Sequence, residues 1–388
     1  MPDSALTTPI DEATELLVEL VSCDSTNPDL VPGGAGEGGV AAIVARVLEE
    51  IGLEVSVEEV RPGRPNVIGR LRGTGGGRTL MLCGHTDVVA ADAEMFAPRI
   101  ENGILYGRGA SDMKGGLASA ICAARRVAQL PDRLQGDLVI AAVIDEEWGS
   151  LGAFHVAEHH QADAVILPEY TQLEVTTEHG GFAWYEIVSR GPEVAGIEAD
   201  RGVDAIALLA PVLSGILELD ERLAAGERKP YGRGSIHAST IAGGTMYPAY
   251  PSEVKLAVER CTIPGETIAQ AQAEIDGLLE RARQADPRLD ATLTTEIARE
   301  AVILDPDGAI VPLLTRVAAE VTGRTPAHQG DMGWMDSGVL VQAGFPCATY
   351  GPKGGLEHGP DEWVDLESVA VCADVLAATA RAFCGEPG

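Results

Sequence analysis

The sequence predicts an α/β protein with an inserted α+β part, and three observations carry that expectation. Short apolar runs, TLMLCG (79–84), LVIAAVI (138–144) and AVILP (164–168), alternate with segments whose apolar residues recur at helical spacing. This is the pattern of strands buried on both faces of a sheet and joined by helices. Functional groups follow those runs: His85 and Asp87 after the first, Glu146 and Glu147 after the second, Glu169 after the third. From His179 to about Ala298 the chain changes to longer alternating strands and separate helices, then returns to its first style. The expected division is 1–178 with 299–388 as one domain and 179–298 as the insertion.

Each element has a local reason. Thr8 suits an N-cap and Pro9 the first helical position, ahead of Leu16, Leu17 and Leu20 on one face. After the glycine-rich loop 31–39, a helix from about Val40 to Ile51 leads into LEVSVEEV and NVIGRLRG, whose β-branched alternation predicts strands. FAPRIENGILYG predicts a hairpin turning at Asn102-Gly103, and Met113 to Leu130 a helix, with another after Gly149. In the insertion we expect strands GFAWYEIVSRG and EVKLAVERC and helices Val203 to Leu223 and Thr267 to Arg283. The last part predicts a helix near Ile310 to Thr322, a strand near Pro346 to Tyr350 and a closing helix from Leu366 to Phe383.

Composition narrows the function. Lys and Arg total 28 against 59 Asp and Glu, a formal charge of −31, which would repel nucleic acid and anionic membrane. An anionic substrate would have to meet a local basic patch. No apolar run approaches the ~20 residues of a membrane span, and MPDSALTTPIDEATELL lacks the basic and apolar regions of a secretory leader. The seven cysteines are scattered and never form C-x-x-C, as expected for reduced thiols in the cytoplasm.

The candidate chemistry lies in GHTDVV (84–89), GRGASDMKGG (107–116) and DEEWGS (145–150). His85 and Asp87 alternate along an extended segment, so Asp87 could hydrogen-bond the far nitrogen of a metal-ligating His85. Taken singly, His85 reads as a core histidine, Asp112 as a helix N-cap and Glu146 and Glu147 as solvated charges. Taken jointly, they suit hard divalent cations, because two such ions can share one carboxylate. Three carboxylates, two neutral imidazoles and one hydroxide balance the charge of two Zn²⁺.

GHTDVV, YGRGASDMKGG, DEEWGS, LPEY and EHGPDEWV stand in this order over essentially the whole chain. The set resembles the M20 metallohydrolases, the family of aminoacylase, acetylornithine deacetylase, succinyl-diaminopimelate desuccinylase and carboxypeptidase G2. The resemblance implies an aminopeptidase-like di-zinc catalytic domain with a central mixed sheet, interrupted at 179–298 by a lid that commonly forms a homodimer. It implies two divalent metals, Zn²⁺ by expectation with Co²⁺ or Mn²⁺ as alternatives. His85 and Glu169 would hold one, Glu147 and His358 the other, and Asp112 both. Asp87 would orient His85. Glu146 would be the general base, taking a proton from a water acidified by the metals so that the hydroxide attacks an amide carbonyl. Arg260 matches a lid arginine that binds a substrate carboxylate, and Gly354 and Gly355 lie in a loop, GPKGG, that approaches the substrate.

Two positions depart from the family. Its lid contributes an oxyanion histidine and an asparagine, and here the matching residues are about Ala195 and Pro248. Loss of one such donor typically costs ~10²–10³ in turnover. His179 and His237 are the nearest lid histidines and read as surface or hinge residues, as do His155, His159 and His160 after DEEWGS. The expected function is hydrolysis of a small carboxylate-bearing amide, such as an N-acyl amino acid. The alternatives are other C–N chemistry on the same metals, or a binding protein that keeps the fold; retention of Glu146 weighs against the last.

Overall fold

Thr8 accepts a hydrogen bond from Asp11 N–H while the Asp11 carboxylate accepts one from Thr8 N–H, a reciprocal cap that starts the first helix. The computed structural model describes residues 8–225 and 232–385. The segment 1–7, part of the stretch read for a leader, lies outside the described residues.

Two compact units emerge, Met1–Thr177 with Leu304–Gln329 and Met335–Gly388, and Glu178–Ile303 with Gly330–Trp334. The segment Gly330–Trp334 thus joins the second unit, whereas the sequence reading leaves it in the first.

The elements run α1 (Pro9–Ser22), α2 (Gly38–Ile51), β1 (Glu54–Arg61), β2 (Arg64–Leu71), β3 (Leu80–His85), β4 (Arg99–Glu101), β5 (Ile104–Tyr106) and α3 (Gly115–Ala128). Next come β6 (Leu138–Val143), α4 (Leu151–His159), β7 (Ala164–Leu167), β8 (Val175–His179), β9 (Gly181–Arg190), α5 (Ala210–Ala225), β10 (Ser235–Gly243) and β11 (Glu253–Thr262). The chain continues through α6 (Ile268–Ala285), β12 (Asp290–Arg299), β13 (Val302–Ile303), α7 (Ile310–Thr322), β14 (His328–Asp331) and α8 (Ser337–Gln342). It ends with β15 (Cys347–Thr349), β16 (Gly354–Gly355), β17 (Trp363–Asp365) and α9 (Leu366–Cys384).

In the first unit the sheet order is β1-β2-β6-β3-β7-β15-β8. β3 pairs in parallel with β6 and β7, and β7 with β15, while the flanking pairs are antiparallel. Every residue of β3, β6 and β7 is buried, which explains their unbroken apolar runs. Leu117 and Ile121 of α3 join Val369, Ala373 and Leu376 of α9 in the same core. A smaller sheet, β16-β17-β5-β4, contains the hairpin at Asn102-Gly103, both of which take positive φ as the tight turn requires.

The second unit is an antiparallel sheet, β10-β11-β9-β12, whose Tyr185, Ile187, Leu256 and Val258 pack with Ile216 of α5 and Leu278 of α6. The helix expected from Val203 starts later because the Asp204 carboxylate accepts from Ile206 N–H and Ala207 N–H, both at 3.0 Å, and holds a turn there. β10 and β12 escape the sequence pattern because most of their side chains are exposed or half-buried and no apolar stripe marks them. Among the described residues no helix is long and apolar enough to cross a membrane.

Candidate metal centre

Parallel neighbours β6, β3 and β7 bring their C-terminal ends together at one edge, where an α/β sheet presents its ligand groups. β3 ends on His85, β6 runs into Asp145, Glu146 and Glu147, and β7 is followed by Pro168 and Glu169. Asp112 comes from the segment before α3, and His358 from the loop between β16 and β17.

His85 Nε2 stands 3.0 Å from Asp112 Oδ1 and 3.9 Å from both Glu169 Oε1 and Glu146 Oε2. His358 Nε2 stands 3.2 Å from Glu147 Oε2 and 3.4 Å from Asp112 Oδ2. Two triads result, His85/Asp112/Glu169 and Asp112/Glu147/His358, each with its donor atoms within 4.8 Å of one another. The two oxygens of Asp112 face different imidazoles. Asp112 is not the cap of α3, which begins at Gly115 without a side-chain cap.

The supporting shell differs from the sequence reading in one detail. His85 Nδ1 lies 3.0 Å from the backbone carbonyl of Asp87 and 3.7 Å from its carboxylate Oδ1. The Asp87 carboxylate accepts instead from Glu146 N–H and Glu147 N–H, both at 3.1 Å, and from Asn27 Nδ2 at 2.8 Å. Asp87 therefore clamps the loop that carries the two glutamates. Asn27 also donates to Asp145 at 3.0 Å, and Arg64 donates to Asp145 at 2.9 Å and to both oxygens of Glu37. On the other side, the Glu362 carboxylate accepts from Gly109, Ser111 and Asp112 N–H and from Arg108. Sequence reasoning missed Asn27, Arg64 and Glu362 in these roles. Only Glu362, inside EHGPDEWV, and Arg108, inside YGRGASDMKGG, stood in a quoted motif.

Electrostatics tests whether divalent cations fit. Burial pushes Glu146 and Glu169 well above the usual carboxylate range, and Glu147 and nearby Asp336 up to about 7. Contacts with Asp112 and Glu147 raise His358 to about 10. The cluster thus holds Asp112, Glu146, Glu147, Glu169 and Asp336 against two imidazoles and no lysine or arginine contact to the triads among the described residues. Buried carboxylates without compensating charge are costly. An imidazole-carboxylate donor set with that charge deficit fits divalent cations.

The remaining expected residues fall as follows. Gly354 pairs with Val364, and a Cβ there would stand 2.3 Å from Ser111 Oγ, so close approach to the Asp112 segment requires glycine. Gly355 is half-buried beside Trp363. Arg260 is only 2% exposed in the second unit, bonded to Glu274 at 2.9 Å, to Glu266 at 3.2 Å and to the Cys261 carbonyl. Its charge is matched within its own unit, which is a structural use for it. Ala195 pairs with Ala249, and Gly196 N–H donates to the Pro248 carbonyl at 2.8 Å, so the two departures are neighbours in space. His237 is exposed 3.6 Å from Glu259, but His179 is fully buried rather than at the surface, edge-on to Trp334.

Comparison with known proteins gives the family. The model of peptidase family M20/M25/M40 matches residues 81–382. N-formyl-4-amino-5-aminomethyl-2-methylpyrimidine deformylase of Bacillus subtilis (strain 168) is 29% identical, over 95% of this chain and 94% of that protein. Acetylornithine deacetylase of Myxococcus xanthus is 28% identical, over 95% and 97%. Among solved structures, the M20 metallo-carboxypeptidase Sso-CP2 of Sulfolobus solfataricus superposes with a TM-score of 0.79 at 17% identity, covering 96% of this chain and 99% of its own. The chain belongs to peptidase family M20/M25/M40 and is an enzyme, a hydrolase acting on amide bonds.

Proposed function

We propose that the chain is a di-metal hydrolase of short N-acyl amines, with one divalent ion held by His85, Asp112 and Glu169 and the other by Asp112, Glu147 and His358. The observation that carries this reading is Asp112, whose two oxygens face two imidazoles, 3.0 and 3.4 Å away. Bound divalent ions, zinc in the first instance, would polarise the amide carbonyl and acidify a water.

Glu146 belongs to neither triad, yet its Oε2 lies 3.9 Å from His85 Nε2, at the centre's edge. Its carboxylate is free to accept the proton of the attacking water and to return it to the departing amine. The C–N bond breaks, the water oxygen bonds to the acyl carbon, and amine and carboxylic acid leave. Asp87 holds the Glu146 and Glu147 amides, so the base and the neighbouring donor are set by one clamp.

Ala195 and Pro248 bring no side-chain donor for an oxyanion. A formyl carbonyl is less hindered and more electrophilic than longer acyl groups, so water adds to it over a lower barrier. The curated relatives include a deformylase and a deacetylase, in line with short acyl groups. With Arg260 already paired, the proposal does not require a carboxylate on the substrate.

The test is amine release by the Zn²⁺-loaded protein from N-formyl, N-acetyl and N-succinyl amines, with Glu146→Gln alongside. Turnover highest for the formyl amine and lowered ~10²–10⁴-fold by the substitution is expected. Equal turnover in both proteins would remove the general-base assignment. Silence on the whole panel with metal bound would redirect the search to other C–N chemistry.

A further inference from the structure

Outside the candidate centre a third group of metal donors converges on the first unit: Glu58 on β1, His155 on α4 and His160 at its C-terminal cap. His155 Nε2 lies 3.0 Å and His160 Nε2 2.9 Å from the same oxygen, Glu58 Oε2. All three donor atoms lie within 4.8 Å of one another, as in the two triads around Asp112. We propose that Glu58, His155 and His160 form a separate binding site for a divalent ion of the zinc class, which ties the end of α4 to the edge strand β1.

The donor chemistry selects the ion. Two imidazoles and one glutamate are a zinc ligand set, with a fourth position left to water. Imidazole nitrogen disfavours Ca²⁺ and Mg²⁺, which take oxygen. The carboxylate is already aimed: its other oxygen, Oε1, accepts from Ser56 Oγ at 2.7 Å, which leaves Oε2 toward the rings. The carboxylate and both rings are 15–23% exposed, so an ion has access from solvent without unfolding anything.

Placement adds a constraint. His159 stacks on His155 with centroids 4.2 Å apart, and its Nδ1 lies 2.9 Å from the His155 carbonyl, which restricts the His155 ring. Donor atoms around a tetrahedral Zn²⁺ with ~2.0–2.1 Å bonds stand ~3.3 Å apart, so the contacts at Glu58 need to open by only a few tenths of an ångström. The triads around Asp112 show spacings of 3.0 to 3.9 Å, which bracket that value. The sequence could not show the set, because the acid stands about 100 residues from the histidines, on another element.

The test counts metal by difference and does not depend on how many ions the centre at Asp112 holds. Full-length protein is stripped with chelator and dialysed against micromolar free Zn²⁺, and bound zinc per chain is measured for wild type, His155→Asn, His160→Gln and Glu58→Gln. Each variant should bind one ion fewer than wild type, with unchanged circular dichroism and unchanged amide hydrolysis. Glu58→Gln keeps a hydrogen-bond acceptor and removes the anionic ligand, so it separates a metal site from a hydrogen-bonded cluster. With Co²⁺ in place of Zn²⁺, the wild-type-minus-variant spectrum should carry the visible bands of four-coordinate cobalt. Equal zinc counts in wild type and the three variants, or a cobalt difference spectrum without those bands, would overturn the site.

Discussion

Gly116 offers a sharp test of how helix α3 sets the metal centre. A Cβ built on it would stand 1.7 Å from the Pro168 carbonyl oxygen and 2.7 Å from the Pro168 carbonyl carbon. Both are backbone atoms, so no rotamer change relieves the clash. To reach even 3.0 Å, the helix or the end of β7 must retreat by about 1.3 Å. That displacement falls between two donors of one triad, because Asp112 precedes Gly116 by four residues and Glu169 directly follows Pro168. Metal-donor distances tolerate only about ±0.2 Å. Gly116→Ala should therefore lose the ion of the His85/Asp112/Glu169 triad and lower amide hydrolysis by about 10²-fold or more. Overpacking should also cost about 2–3 kcal/mol in stability. Zinc content, initial rates and urea denaturation on the same preparation check all three. Wild-type stability together with full zinc and full turnover would show instead that the helix can move without disturbing the donors.

Three further outcomes follow from buried charges. Arg64→Leu leaves Glu37 and Asp145, both fully buried, without their cation and should cost about 3–5 kcal/mol in urea unfolding; a loss under about 1 kcal/mol would contradict the network. His179 is fully buried, and desolvation lowers it to about 4 in the folded chain. The unfolded chain takes up the proton first, near pH 6.5, so stability should fall as pH drops from there to about 4, by about 3 kcal/mol in total. His179→Gln should flatten that slope, and an unchanged slope would acquit the histidine. Arg260→Leu should destabilise by about 2 kcal/mol, through loss of its bonds to Glu266 and Glu274, while changing KM alike for neutral and carboxylate-bearing substrates. A rise confined to carboxylate-bearing substrates would make it an anion anchor after all.

The parts of the fold visible in the sequence were those with local causes. The capping box at Thr8, the apolar runs of β3, β6 and β7 and the turn at Asn102-Gly103 each depend on neighbours within a few residues. The residues of the two triads were legible because they sit directly after buried strands or inside quoted motifs. What holds them was not. Asp87 and Asn27 are 60 residues apart, Arg64 and Asp145 81 apart, and Glu362 and Asp112 250 apart, so only the packed chain brings donor to acceptor. Arg260 shows the same limit: its partners Glu266 and Glu274 come from the following loop and α6, and nothing in the strand that carries it announces them. β10 and β12 lacked a pattern because their exposed faces impose none.

The proposed mechanism rests on Asp112 serving two ions at once. Diffraction from crystals grown with Zn²⁺, recorded on both sides of the zinc absorption edge, tests it most directly. Two anomalous peaks about 3.5–4 Å apart are expected, one against His85 and Glu169, the other against Glu147 and His358, and each bonded to a different oxygen of Asp112. A single peak at this centre, or two peaks that share no contact with Asp112, would contradict it.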